Sequence, residues 1–322
     1  MAKDKKDKRS AKSASKGENR PKKAARALTA ATDALVKQGS RILAKSDKVR
    51  TIGALEQQLL KLFPADTAES WDRCGLLVGE RALPITKVAI TLDPTVDAIE
   101  EAAKAGANVL LTHHPAYLDP PASFAPERSV ALSPGAGVFA AIRSGVALMA
   151  FHTSLDVSKQ AQVILPKLLG LSYTGKVLAP LEKRPALGYG QVCKVSTEGG
   201  KPEALAHIAA RCTSVFGRAP RVWGSFSSTV ARVVCATGSA GSLGKQALAA
   251  GVDCLICGEV KYHEALEFSE AGLCIIELGH DLSEFPLTAV LADATASFGL
   301  SSEDIVILDQ TERWSYPESI RL

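Results

Sequence analysis

The sequence predicts an α/β protein of two lobes, each with a mainly parallel sheet covered by helices. Three observations carry that prediction. Short apolar runs alternate with segments of helical apolar spacing, the pattern of repeated βαβ units. An apolar content of 46% over 322 residues supports a sizeable core. Turn residues thicken between residues 171 and 189, where one set of alternating elements gives way to another.

Taken in order, "VRTIGALEQQLLKLFP" has helical spacing and stops at Pro64. "KVAITLD" reads as a strand, and "PTVDAIEEAAKAG" as a helix with Pro94 near its start and Gly106 past its end. "ANVLLTHH" is a strand, "GVFAAIRSG" a short helix, "VALMAFHTSLD" a strand and "SKQAQVILPKLLG" a helix. Beyond the turn-rich stretch come strand "GQVCKV", helix "KPEALAHIAARCTSVFG" and strand "ARVVCATGSAG". Helix "LGKQALAAG", strand "VDCLICGEV", helix "KYHEALEFSEAG" and strand "LCIIELGH" follow. A helix over about 284–298 and the strand "EDIVILD" close the chain. The expected division is a basic arm over 1–48, a first lobe from 49–172 plus 283–322, and a second lobe from 173–282.

Charge separates the arm from the body. Residues 1–50 hold 16 Lys and Arg against 5 Asp and Glu, whereas the whole chain carries only +4. The arm is too poor in apolar residues to fold alone, apart from an alanine-rich helix expected around Ala24 to Ala44. It reads first as a solubilising tail and second as a tether for nucleic acid or an acidic protein, since no aromatics interleave with its lysines. No apolar run approaches the roughly 20 residues of a membrane span, and no secretory h-region follows the basic start. Seven scattered cysteines fit reduced thiols in a cytoplasmic protein. Cys254 and Cys257 form a C-x-x-C inside an apparent strand, which points them to opposite faces as core residues.

The chemistry gathers at strand ends, where open α/β sheets bind ligands. His113 and His114 end "ANVLLT", His152 and Asp156 end "VALMA", and His280 ends "LCIIEL" with Glu284 four residues on. His280 and Glu284 share a face if helix begins near Leu282. Imidazoles and carboxylates without thiolates suit zinc, manganese, iron or nickel. A phosphoesterase signature of Asp-His-His is excluded because Thr112 precedes the pair. The turn "CATGSAGS" is either a phosphate-binding nest, with Gly238, Ser239 and Gly241 offering N–H groups, or a tight turn before a helix.

"WDRCGLLVG", "LTHHP", "FHTSLD", "CGEVKYHEAL" and "LGHDLSE" occur in one order. In that combination the chain resembles the NGG-interacting-factor-three-like family from Val49 onward. These dinuclear-metal-centre toroid proteins are also known as GTP cyclohydrolase I type 2 homologues. The resemblance implies two α/β lobes facing each other across two divalent ions, in a hexameric ring. It implies the ligands His113, His114, Asp156, His280 and Glu284, with His152 behind them and Lys261 and His263 lining the same cavity. Five ligands leave open positions on two ions, a catalytic rather than structural pattern; Asp156 or Glu284 would bridge. The family often has Asn where Arg73 stands. The function expected is a metal-dependent hydrolase acting on a nucleotide or other phosphorylated small molecule. The alternative is a non-enzymatic metal-binding scaffold or regulator.

Overall fold

The computed structural model describes residues 49–126, 134–196, 201–310 and 313–314. The basic arm and its expected helix lie outside the described residues. Helix α1 (Ile52–Leu62) starts where the Thr51 hydroxyl accepts from Ala54 N at 3.2 Å, and it stops before Pro64. Strands β1 (Gly75–Val78) and β2 (Val88–Thr91) follow. Helix α2 (Val96–Lys104) is capped by Thr95 in the same way as α1. Then come β3 (Val109–Thr112), α3 (Gly135–Ser144) ending on left-handed Gly145, and β4 (Ala147–Ala150).

The helix expected over "SKQAQVILPKLLG" is broken. A turn α4 (Thr153–Asp156) precedes α5 (Lys159–Gln162) and α6 (Ile164–Leu168). Pro166 lies inside α6, and a proline ring clashes with the carbonyl four residues back, here Gln162, where α5 ends. The turn-rich stretch over 171–189 is no linker. It forms all of β5 (Leu171–Leu181) and the start of β6 (Arg184–Val195), which pair as a long hairpin. Its strands are half-exposed and slip register between Tyr173 and Lys176, so no clean alternation marks them in the sequence.

A two-residue strand β7 (Glu203–Ala204), helix α7 (Leu205–Phe216) and β8 (Arg221–Trp223) come next. Strand β9 (Thr229–Val230) pairs with β7, and β10 (Arg232–Cys235) returns to the main sheet. Helix α8 (Gly244–Ala249), β11 (Cys254–Cys257), α9 (Tyr262–Glu270) and β12 (Cys274–Glu277) complete the alternation. The final helix is split into α10 (His280–Glu284) and α11 (Leu287–Ser297), with Pro286 capping the second part, before β13 (Ile305–Ile307).

Two sheets result. The first has order β1-β4-β3-β2-β13, parallel except for β1 against β4. The second has order β5-β6-β10-β11-β12-β8. Its centre, β10-β11-β12, is parallel, while β6 and β8 flank it antiparallel. The second sheet is therefore mixed, because the short link at residues 182–183 can only join antiparallel strands.

Each sheet is covered on both faces. Around the first, Ile52, Leu55 and Leu291 fill one side and Ile99, Ala102 and Ala141 the other. Around the second, Ile208 and Cys212 of α7 pack one face and Ala247 and Phe268 the other. Fully burying a Leu, Ile or Phe side chain is worth roughly 1.5–3 kcal/mol, so these layers hold the strand ends in fixed positions. Cys254 and Cys257 enter opposite cores, as strand alternation requires, and both are free thiols. Among the described residues no helix is long and apolar enough to cross a membrane.

Candidate metal centre

The adjacent histidines after β3 reach one place because the chain turns sharply there. Thr112 Oγ1 donates to the His114 carbonyl at 2.6 Å, while His113 N and His114 N continue bonding to Thr91 O and Leu92 O beside β2. The imidazole centroids lie 5.0 Å apart. His152, after β4, stands 5.2 Å from the His113 ring and 5.3 Å from that of His114. These three histidines come from neighbouring strands of the first sheet.

The second sheet supplies His280 and Glu284, while Asp156 follows β4 of the first. Helix α10 is a single turn starting at His280, earlier than the Leu282 expected from sequence, and it puts His280 and Glu284 on one face. Glu284 Oε2 lies 3.0 Å from Nε2 of both His114 and His280, and those two nitrogens are 3.4 Å apart. Asp156 Oδ1 and Glu284 Oε1 stand 3.6 and 3.7 Å from His113 Nε2. Three donor triads fall within coordinating range: His113 with His114 and His152, His114 with His280 and Glu284, and His113 with Asp156 and Glu284. His152 thus sits among the donors rather than behind them.

Two of these atoms, His113 Nε2 and Glu284 Oε2, are fully buried yet lack any contact with hydrogen-bond alignment. A folded protein rarely leaves buried polar atoms in that state without a ligand to serve. The donor set fits a divalent transition-metal ion on this ground and by its imidazole and carboxylate chemistry.

Every imidazole is anchored through its other nitrogen. His113 Nδ1 bonds to Phe151 O at 3.1 Å, His114 Nδ1 to Asp93 at 2.7 Å, His152 Nδ1 to Asp72 at 3.0 Å and His280 Nδ1 to Glu259 at 2.9 Å. An acceptor there holds the proton on Nδ1 and aims the Nε2 lone pair at the centre. Asp72 is itself tied down by the Thr153 N–H and hydroxyl. Thr237 Oγ1, after β10, donates to Asp156 at 3.0 Å and so links the two sheets.

Opposite charges dominate the electrostatics. Burial disfavours charged His114, but Asp93 and Glu284 raise its pKa to about 9. The carboxylates of Glu259 and Glu284, 2.9 and 3.0 Å from its two ring nitrogens, carry His280 to about 10. Burial pushes Glu284 upward, yet His113 and its neighbouring imidazoles hold it well below the usual carboxylate range. Asp156 moves up, through burial first and the like charge of Glu284 after it.

Sequence reasoning missed Asp72, Asp93, Glu259 and Thr237. Asp93 had a legible signal, since it ends "KVAITLD" at the same sheet edge as the histidines. Asp93→Asn should lower metal affinity about 10–100-fold, the usual cost of losing an outer partner, in a chelator-competition titration. Unchanged affinity would deny Asp93 its orienting role.

Other expected residues play different parts. Lys261 and His263, at the start of α9, are exposed and do not line the cavity beside the cluster; His263 packs against Tyr262, which packs against Trp223. Gly238 is no phosphate donor, because its N–H is spent on Ser283 Oγ at 2.9 Å. A Cβ there would stand 2.2 Å from Glu284 Oε1, so this glycine makes room for the carboxylate. Gly241 packs with similar closeness against Glu264, and only Ser239 of the three borders the cavity. Arg73 Nε donates to Leu118 O at 2.8 Å.

The cavity, about 620 Å³, opens directly onto His114, His152, Asp156, His280 and Glu284. Residues 50–310 match the sequence profile of the Duf34/NIF3 (NGG1p interacting factor 3) family. A "GTP cyclohydrolase 1 type 2 homolog" from Streptomyces coelicolor is 30% identical over 231 residues, covering 70% of this chain and 78% of that protein. One from Clostridium perfringens is 28% identical, covering 70% and 84%. Among solved structures, a hypothetical protein of Staphylococcus aureus superposes with a TM-score of 0.74 at 22% identity, over 84% of this chain and all of the other. A Bacillus cereus protein related to NIF3 gives 0.70 at 19% identity, over 81% and 96%. With the family profile spanning both sheets and every donor of the cluster, the chain belongs to the Duf34/NIF3 family.

Proposed function

We propose that this chain holds two divalent metal ions in the cluster and hydrolyses a nucleotide or another phosphorylated small molecule. The observation that carries the reading is the pair of buried, unaligned donors, His113 Nε2 and Glu284 Oε2, the second of which borders a solvent-connected cavity. His113, His114, His152, Asp156, His280 and Glu284 would hold the ions, with Glu284 central because it touches donors from both sheets. Such ions supply electrophilic activation of a phosphoryl or carbonyl oxygen and acidify water near neutral pH.

The protein's own part is preorganisation. Asp72, Asp93, Glu259 and the Phe151 carbonyl fix four tautomers before substrate arrives, so no imidazole has to reorient during reaction. Of the carboxylates facing the cavity, Asp156 would be the one to accept a proton from attacking water. The relatives' name supports hydrolytic ring opening of GTP as one version of the reaction, and hydrolysis of a phosphate ester is the other.

Elemental analysis of the native protein and of a His113→Ala, Glu284→Ala double variant tests the site. About two ions per subunit are expected in the first and clearly fewer in the second. Metal-dependent turnover that survives deletion of residues 1–50 but vanishes in the double variant is the expected outcome for the enzyme. Stoichiometric metal with no turnover across nucleotide and phosphate-ester panels would instead support the metal-binding scaffold.

A further inference from the structure

Resting on the hydrolase reading, we propose that the cavity takes a substrate with an uncharged, nucleobase-like heterocycle, whose polar edge is read by Gln191 and whose face is covered by Trp71. Gln191 borders the cavity, is only 6% exposed, and makes no side-chain hydrogen bond among the described residues. Its amide atoms are not sealed in the core but reach the cavity, where an entering group can pair with them. It carries a donor and an acceptor side by side, the combination that pairs with the edge of a heterocyclic base.

Its position connects it to the cluster. Gln191 lies opposite Cys235 in the β6–β10 ladder, two residues before Thr237, whose hydroxyl bonds Asp156. On the same strand Tyr189 borders the cavity and donates to Glu69 Oε1 at 3.1 Å, leaving that exposed carboxylate beside the opening. Trp71 is 52% exposed although it lines the same space, and it meets the His152 ring edge-on at 5.6 Å between centroids. An indole left bare beside an imidazole, in a cavity that Leu118 also lines, suits a planar ring.

The charge of the lining limits the rest of the substrate. Among the described residues that border the cavity none is Lys or Arg, whereas Glu69, Asp156 and Glu284 are carboxylates. One phosphate can be met at the ions, but a longer polyphosphate finds no Lys or Arg along the wall. The favoured substrate therefore carries a single phosphate and a neutral ring.

Titration calorimetry on the full-length, metal-loaded chain tests this with GMP, AMP, GTP and inorganic phosphate as probes. At least one monophosphate should bind about 10-fold or more tightly than inorganic phosphate, and GTP no more tightly than GMP. Gln191→Leu and, separately, the surface change Trp71→Ala should remove most of that excess, leaving metal content and phosphate binding unchanged. Equal binding of monophosphate and phosphate, or an excess that survives both variants, overturns the subsite. Tighter binding of GTP than GMP overturns the single-phosphate limit. The two readings fail separately: ring-dependent binding without turnover removes the hydrolase and keeps the subsite. Turnover of a simple phosphate ester without ring-dependent binding does the reverse.

Discussion

Glu284→Gln should lower metal affinity by more than about 100-fold while leaving the fold intact, exceeding the usual effect of losing an outer partner. The side chain keeps its shape, so packing around α10 is preserved. What disappears is the negative charge within 3.0 Å of His114 and His280 and 3.7 Å of His113. An amide also turns N–H donors toward nitrogens whose lone pairs must remain free, because Asp93, Glu259 and the Phe151 carbonyl already hold the protons on Nδ1. Chelator competition monitored alongside circular dichroism gives both readouts. Retained affinity with a native spectrum would show that the carboxylate is incidental to the site.

Gly238→Ala is the second large effect. Its φ of +60° lies in the left-handed region, which costs a side chain about 1–2 kcal/mol. The added Cβ would also stand 2.2 Å from Glu284 Oε1 and 3.5 Å from His280 Cε1. Expected outcomes are a lower melting temperature and weaker metal binding together. Gly106→Ala is the control: its φ is +79° and nothing stands within 4 Å of an added Cβ. It should pay the backbone cost and keep its metal. If both variants bind metal equally well, the close approach of Gly238 to Glu284 has no functional weight.

Strand ends were the most legible part of the sequence. Local apolar runs located β2, β3, β4, β10, β11 and β12 within a few residues, and a residue just beyond such a run must lie at a sheet edge. That placement alone gathered His113, His114, His152, Asp156, His280 and Glu284. The prolines that cut the helices were visible, but which helical stretch they divided depended on packing. Of the β5–β6 hairpin only "GQVCKV", the end of β6, was legible; the rest was hidden because its exposed strands lack alternation and Gly175 and Pro180 resemble loop residues. The anchoring carboxylates stayed silent for another reason: Asp72 and His152 are 80 residues apart, and their pairing exists only in three dimensions. Lys261 and His263 misled because a short motif fixes sequence position, not the direction in which a helix start faces.

His114 and His280 are 166 residues apart in the chain. Bringing such distant segments together costs loop-closure entropy that local contacts cannot repay, so the full donor set forms only once both sheets have condensed. Before that point the nascent chain offers at most fragments, such as His113 beside His114, which grip an ion weakly and with little selectivity. An ion taken up by the complete site would therefore be judged against a rigid frame, where geometry rather than raw ligand affinity decides which metal stays. Late assembly would make metal uptake at this cluster a reporter of finished folding.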